Sequence, residues 1–188
     1  SYERLSGTHV LRDFVELPSQ LFEHWAFDPG VLERHARHAD TGEPIPHELV
    51  LLVRSARRFN QGFETVEYAA CALLDMALHA SEDPEGVDVA AFEVAELARI
   101  GMPREIVLRH RLPHFGHLFA SSGYAAGYYV YLWAEVLDAD GYDAFVEAGN
   151  PFDPEVADRV RRYVYASGGT LPPAEAYRAF RGRDPVVG

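Results

Sequence analysis

The sequence is short of cysteine, of cationic side chains and of long apolar runs, and each shortage removes a class of protein. Cys71 is the single cysteine among 188 residues, so no disulfide can form within the chain. It sits in the apolar run Tyr68-Ala69-Ala70-Cys71-Ala72-Leu73-Leu74, where a small buried thiol is expected. No stretch approaches the roughly 20 apolar residues that cross a bilayer, and no cationic segment leads into an apolar one at the start. No membrane partner is expected, and cytoplasmic residence is the default. Acids outnumber bases, 29 Asp and Glu against 17 Lys and Arg, for a formal charge of -12. That balance argues against nucleic acid as a partner, because affinity for phosphate backbones comes largely from clustered cations that release counterions. The arginines are scattered or interleaved with acids, as Arg159, Arg161 and Arg162 are beside Asp158. Also missing are a Gly-rich phosphate loop, a Gly-x-Ser-x-Gly elbow and a His-Glu-x-x-His zinc motif. Any zinc reading must explain that last absence. The opening Ser1-Tyr2-Glu3-Arg4 has no initiator Met, which points to a piece of a longer polypeptide.

What is present is helical periodicity, and the fold class expected is all-α in one domain. Phe14, Leu17, Leu21, Phe22 and Trp25 recur at three- and four-residue spacings, predicting a helix over 13–27 with Asp13 as its cap and Pro18 early in it. Asp28-Pro29 restarts the chain with Pro at a first helical position. Thr41 to Pro46 reads as a turn, followed by helices near 47–59 and 63–80, and Ser81 to Gly86 ends the longer one. Val89, Phe92, Val94, Leu97 and Ile100 mark an amphipathic helix stopped by Gly101-Met102-Pro103. Near the end, Pro172-Pro173 starts a helix and Gly182 stops it.

The second half holds the candidate chemistry. Tyr124, Tyr128 and Tyr131 are spaced i, i+4 and i+7, so a helix continuous from 124 would align them in one stripe that Glu135 extends. Three buried phenols need three partners, since an unpaired buried polar group costs about 1–3 kcal/mol. The stripe therefore either lines a wet cleft or forms a seam bonded to neighbouring helices. Ala120-Ser121-Ser122-Gly123 before it is a small-residue loop able to move or to admit a ligand. His117 is either a structural histidine or a ring turned to the same cleft, and His114 three residues earlier raises a weak metal-pair reading. Glu16, Gln20 and Glu23 repeat at i, i+4 and i+7, either as a solvated face or with a carboxylate offered to zinc. His35 and His38, among Glu33, Arg34 and Arg37, read as surface.

Several segments together resemble a known family. Arg4-Leu5-Ser6-Gly7-Thr8-His9-Val10 with Asp13-Phe14-Val15-Glu16-Leu17-Pro18-Ser19-Gln20 is similar to the stretch after the zinc-binding helix in the M3 metallopeptidases, the thimet oligopeptidase and neurolysin family. Phe115-Gly116-His117-Leu118, Tyr124 to Tyr129 and Trp133-Ala134-Glu135-Val136 look most like its bacterial peptidyl-dipeptidase and oligopeptidase A branch. Asn150-Pro151-Phe152, Gly168-Gly169 and Phe180-Arg181-Gly182-Arg183 also match, so the likeness runs over essentially the whole chain.

The resemblance implies that residues 1–188 form the C-terminal helical part of a neurolysin-like catalytic domain. The His-Glu-x-x-His helix would lie upstream of Ser1, outside this chain. By that likeness Glu16 takes the place of the third zinc ligand, and the one zinc ion belongs to the longer enzyme rather than to this piece. Tyr131 matches the tyrosine that donates to the developing oxyanion. His117 matches a histidine on the peptide backbone, and Tyr124 and Tyr128 match substrate-binding tyrosines. The implied function is zinc-dependent hydrolysis of short unstructured peptides by the full-length protein, the isolated piece being inactive. The partners implied are such peptides and the rest of the same polypeptide, with self-association through the apolar surface left by the absent helix. The contrasting expectation is a non-catalytic helical module that binds peptides through Tyr124, Tyr128 and Tyr131.

Overall fold

The computed structural model describes residues 3–6, 8–83 and 85–187. Ser1, Tyr2, Gly7, Pro84 and Gly188 lie outside the described residues, and with them the missing-Met opening, one position of the Arg4–Val10 motif and one of the turn after residue 80. The helices are α1 (Arg12–Val15), α2 (Leu17–Ala26), α3 (Pro29–His35), α4 (His47–Ala56), α5 (Gln61–His79), α6 (Val89–Arg99), α7 (Gly116–Phe119), α8 (Val130–Glu147), α9 (Pro154–Val160) and α10 (Pro173–Arg181). A five-residue π-helical turn, Arg161–Tyr165, continues α9. Among the described residues there is no strand, only an isolated antiparallel bridge between Arg37 and Pro44. The all-α expectation holds. No helix among the described residues is long and apolar enough to cross a membrane.

Local signals account for several helix ends. Asp28 caps α3 by accepting from the Val31 amide, with Pro29 at the first position, where a missing N–H costs nothing. Asp88 and Asp153 cap α6 and α9 in the same way. Gly182, at φ 83°, closes α10 in the left-handed conformation that only glycine adopts without strain. The predicted helix over 13–27 differs. It is two helices meeting at Glu16, and Asp13 lies inside α1 while Leu11 occupies the cap position. Pro18 explains the break. Its nitrogen cannot donate to the carbonyl of Phe14, and its ring crowds that carbonyl, so the ladder is interrupted just before it.

The chain forms two compact units, one of residues 1–56 with 131–188 and the other of residues 57–130. In the first, Phe14, Leu17 and Leu21 pack with Leu137 and Phe145 of α8, Val156 and Val160 of α9, and Tyr177 and Phe180 of α10. Gly141 in α8 allows a close approach, because a Cβ there would stand 3.2 Å from Cε1 of Phe180. Beneath this core lies a buried polar knot. The one proton of the Tyr177 hydroxyl is shared between the Asp140 carboxylate at 2.6 Å and the Leu137 carbonyl at 3.0 Å. Arg181 donates to the Asp140 carbonyl, and the Arg183 guanidinium pairs with the Asp140 carboxylate. The Tyr177 phenol is pushed far above its ordinary pKa, by burial first and then by Asp140.

In the second unit α5 and α6 pack together. Cys71 is 1% exposed, as expected, and burial pushes its thiol pKa up, so it is protonated and inert at neutral pH. Past α6 the chain runs for some thirty residues with only short helical turns, and buried carboxylates of α5 and α6 hold it in place.

Candidate functional site

In the first unit the break made by Pro18 puts Glu16 at a joint, with φ -88° and ψ -13° and a half-buried side chain. Ser19 Oγ donates to the Glu16 carbonyl at 2.9 Å and reaches Oε2 at 3.4 Å. The Gln20 amide donates to the Glu16 carbonyl at 3.1 Å, so the i, i+4, i+7 row of Glu16, Gln20 and Glu23 continues across the joint. Gln20 Nε2 in turn donates to the carbonyl of Tyr131, in the first turn of α8, at 3.3 Å. Its Oε1 is buried without a hydrogen-bond partner. One turn further, His24 Nε2 meets Asp138 Oδ1 at 2.7 Å, and the His24 ring stacks on Tyr142 with centroids 4.5 Å apart. Between these contacts Glu135 has its carboxyl pKa raised, by burial and then by the charges of Asp138 and Glu23. Glu16 and Tyr131 are thus carried on two helices joined by a polar seam, with Gln20 at its head.

In the second unit His117, Tyr124 and Tyr128 come together around α7. The His117 ring is edge-on to Tyr124 at 5.9 Å and to Tyr128 at 5.8 Å between centroids. His117 is exposed and Tyr124 half-buried, whereas Tyr128 is 4% exposed and stacked on Tyr68 at 4.8 Å. The Tyr68 hydroxyl donates to the Tyr128 carbonyl. Burial raises the Tyr128 pKa.

The expected tyrosine stripe does not form. Residues 124–129 are turns and α8 begins at Val130, so Tyr124 and Tyr128 are not successive rungs of a helix that carries Tyr131. Ala126 takes φ 53° and the Gly127 amide donates back to the Tyr124 carbonyl at 2.9 Å. The two-histidine pair also fails as a helical motif. His114 ends a 3-10 turn, Leu112–His114, and His117 lies in the next element, facing His110 with ring centroids 6.0 Å apart. Burial, then the charges of Arg109 and His117, lowers the pKa of His110.

Two buried acids, which periodicity did not single out, organise this segment. Asp75 of α5 is fully buried, and its carboxylate accepts from the Ala126 amide at 2.9 Å, the Tyr128 amide at 2.8 Å and His79 Nδ1 at 2.8 Å. Glu93 of α6, 4% exposed, accepts from the Leu112 amide at 3.0 Å and pairs with Arg111. Asp75 thereby dictates the turn that displaces the helix start to Val130. The signal was a lone acid in an apolar run, Leu73-Leu74-Asp75-Met76 and Ala91-Phe92-Glu93-Val94. An acid at a core position needs donors, and only an irregular backbone nearby has spare amides.

As a metal ligand, the Glu16 carboxylate is a hard oxygen donor at a joint in the helix, which suits one place in a zinc set. Among the described residues no group of three His, Cys, Asp or Glu is arranged to hold a metal. Glu16 therefore fits as one ligand of a set, not as a complete site. Residues 1–187 match the family model for peptidase family M3.

The chain belongs to peptidase family M3. Among its relatives in that family, dipeptidyl carboxypeptidase of Salmonella typhimurium is 44% identical over 99% of this chain and 27% of its own length. Oligopeptidase A of Escherichia coli is 36% identical over 93% of this chain and 26% of its own length. Mitochondrial intermediate peptidase of Arabidopsis thaliana is 34% identical over 97% of this chain and 25% of its own length. The chain spans about a quarter of the length of these relatives, 25–27%.

Proposed function

We propose that the polypeptide containing this chain hydrolyses short unstructured peptides with the help of a zinc ion, and that residues 1–188 alone do not. Glu16 offers a carboxylate oxygen to the metal, and the remaining ligands come from residues outside this chain. Zinc, when bound, supplies Lewis-acid polarisation of the scissile carbonyl. Tyr131 donates a hydrogen bond from its phenol to the oxygen on which negative charge develops, a contact that strengthens in the transition state and so accelerates the chemical step. His117 and Tyr124 bind the peptide backbone. Tyr128 supports them from behind through its stacked ring, and only its small accessible remnant reaches substrate.

The observation that carries this reading is the bond from Gln20 to the Tyr131 carbonyl, because it ties the proposed ligand helix to the first turn of the helix bearing the proposed oxyanion hydrogen-bond donor. Family membership and the peptidase names of the relatives support it. The test is hydrolysis of a fluorogenic peptide by the full-length protein, with chelation and zinc add-back, in wild type, Glu16→Gln and Tyr131→Phe. Chelation should abolish turnover and zinc restore it. Tyr131→Phe should lower kcat by about 10²–10³ with little change in KM. Glu16→Gln should weaken zinc retention. The separately produced 188-residue chain should show no peptide hydrolysis and no submicromolar, stoichiometric zinc binding. Tight zinc binding by that chain would overturn the ligand assignment, and unchanged kcat in Tyr131→Phe would remove Tyr131 from the chemistry.

A further inference from the structure

On a flank of α2 away from Gln20 and Glu23, the first unit opens a cleft of about 550 Å³. Phe22 and Trp25 of α2, Val31 of α3, Phe145 of α8 and Tyr165 of the π turn form its apolar walls. That volume falls in the range of about 300–1,000 Å³ usual for small-molecule sites, and the combination of aromatic walls with a few polar groups is their usual make-up.

Three features give this cleft a chemical preference. First, its lining includes the exposed Arg34, His35 and Arg161 and no carboxylate, in a chain whose overall charge is -12. Arg161 is drawn partly aside by Asp158 at 2.7 Å, but both groups are exposed and such a pair exchanges readily. Second, the wall is built by the π turn Arg161–Tyr165, which carries Arg161 and Tyr165 at its two ends, both on the cleft. Single π turns cost backbone hydrogen-bond geometry and are concentrated at functional positions. Third, the Tyr165 hydroxyl is buried with no hydrogen-bond partner, and burial alone raises its pKa to about 12. Its ring stacks on Phe22 at 4.9 Å, so packing holds the phenol against the wall with a donor unused.

We infer that this cleft binds a small organic anion, an aryl or branched acyl carboxylate, with its apolar body against Trp25 and the stacked pair Phe22 and Tyr165, and its charge at Arg34 and Arg161. The site is distinct from the Glu16 seam and does not depend on the peptidase reading. Zinc chelation leaves it unchanged.

The experiment is calorimetric titration of the full-length protein with 4-butylbenzoate and with its uncharged isostere 4-butylbenzamide, paired with tryptophan fluorescence of the wild type against Trp25→Phe, the difference reporting Trp25. The expected result is saturable 1:1 binding, perturbed Trp25 emission and a preference of about three- to tenfold for the carboxylate. Arg34→Glu with Arg161→Glu, both at exposed positions, should erase the preference while the amide still binds. Val31→Trp should block both ligands by filling the cleft. Equal affinity for carboxylate and amide, a preference that survives the double charge reversal, or no saturable binding to a protein whose circular dichroism is unchanged would each overturn the assignment.

Discussion

Replacing Asp75 by alanine tests whether one buried carboxylate shapes the segment that carries His117 and Tyr124. The substitution removes the acceptor of two main-chain amides and of His79 Nδ1. The Tyr128 amide is buried, and leaving it without a partner costs about 1–3 kcal/mol. The Ala126 amide is only partly buried, so water recovers part of its bond, and it adds at most about 1 kcal/mol. His79 has a quarter of its side chain exposed and keeps the Asp75 carbonyl as a partner at 2.9 Å, so it contributes little. Relief of the carboxylate's own desolvation offsets some of the loss. The net expectation is about 1–3 kcal/mol, concentrated in residues 124–129. Urea unfolding should report the free energy, and hydrogen exchange should show Ala126 and Tyr128 losing protection before α5 does. Asp75→Asn, which keeps one acceptor oxygen but sets an NH2 against an N–H, should fall between wild type and alanine. A loss below about 0.5 kcal/mol with both amides still protected would refute the claim that Asp75 sets this turn.

Asp140→Ala should destabilise the first unit by about 1–3 kcal/mol, because it takes the carboxylate from Tyr177, Arg181 and Arg183 while the Leu137 carbonyl, the main-chain carbonyl of residue 140 and Glu147 remain as partners. A thermal melt compared with Asp140→Asn checks this, and equal melting points would contradict it. Glu135→Gln should stabilise at neutral pH and the gain should vanish in acid. A carboxyl with a raised folded pKa binds its proton more tightly in the native state, so stability falls as pH rises through that pKa. Stability curves of the two proteins that stay parallel from pH 3 to pH 8 would contradict the shift. Tyr165→Phe removes an unpaired hydroxyl and should leave stability unchanged or raise it by up to about 1 kcal/mol, read by urea unfolding.

Helix existence and several helix ends were readable from short-range chemistry. Asp28-Pro29, Pro172-Pro173 and Gly182 act through their own dihedrals and side chains, so no distant residue is needed to place them. Membership of peptidase family M3 was likewise legible in separated motifs, and the family match bears it out. The break at Glu16 was within reach too, since Pro18 forbids the bond to the Phe14 carbonyl, but apolar spacing pulled the expected helix straight through it. The roles proposed for Glu16, His117 and Tyr131 come from the resemblance and not from their spacing.

Turns 124–129 belong to another category. Tyr124, Tyr128 and Tyr131 have helical spacing, and nothing within that run forbids a helix apart from the tolerance of Gly123 and Gly127 for other conformations. The deciding group is Asp75, some fifty residues earlier, whose buried charge takes the amides that a helix would have used for itself. Glu93 does the same for Leu112. Local spacing and capping chemistry therefore specify the helices and their ends, because those energies are summed over neighbours in the chain. The loop around His117, the burial of Tyr128 and the cleft beside Trp25 arise only on folding, because a buried carboxylate, a stacked ring and an enclosed volume all require partners that sequence separation hides.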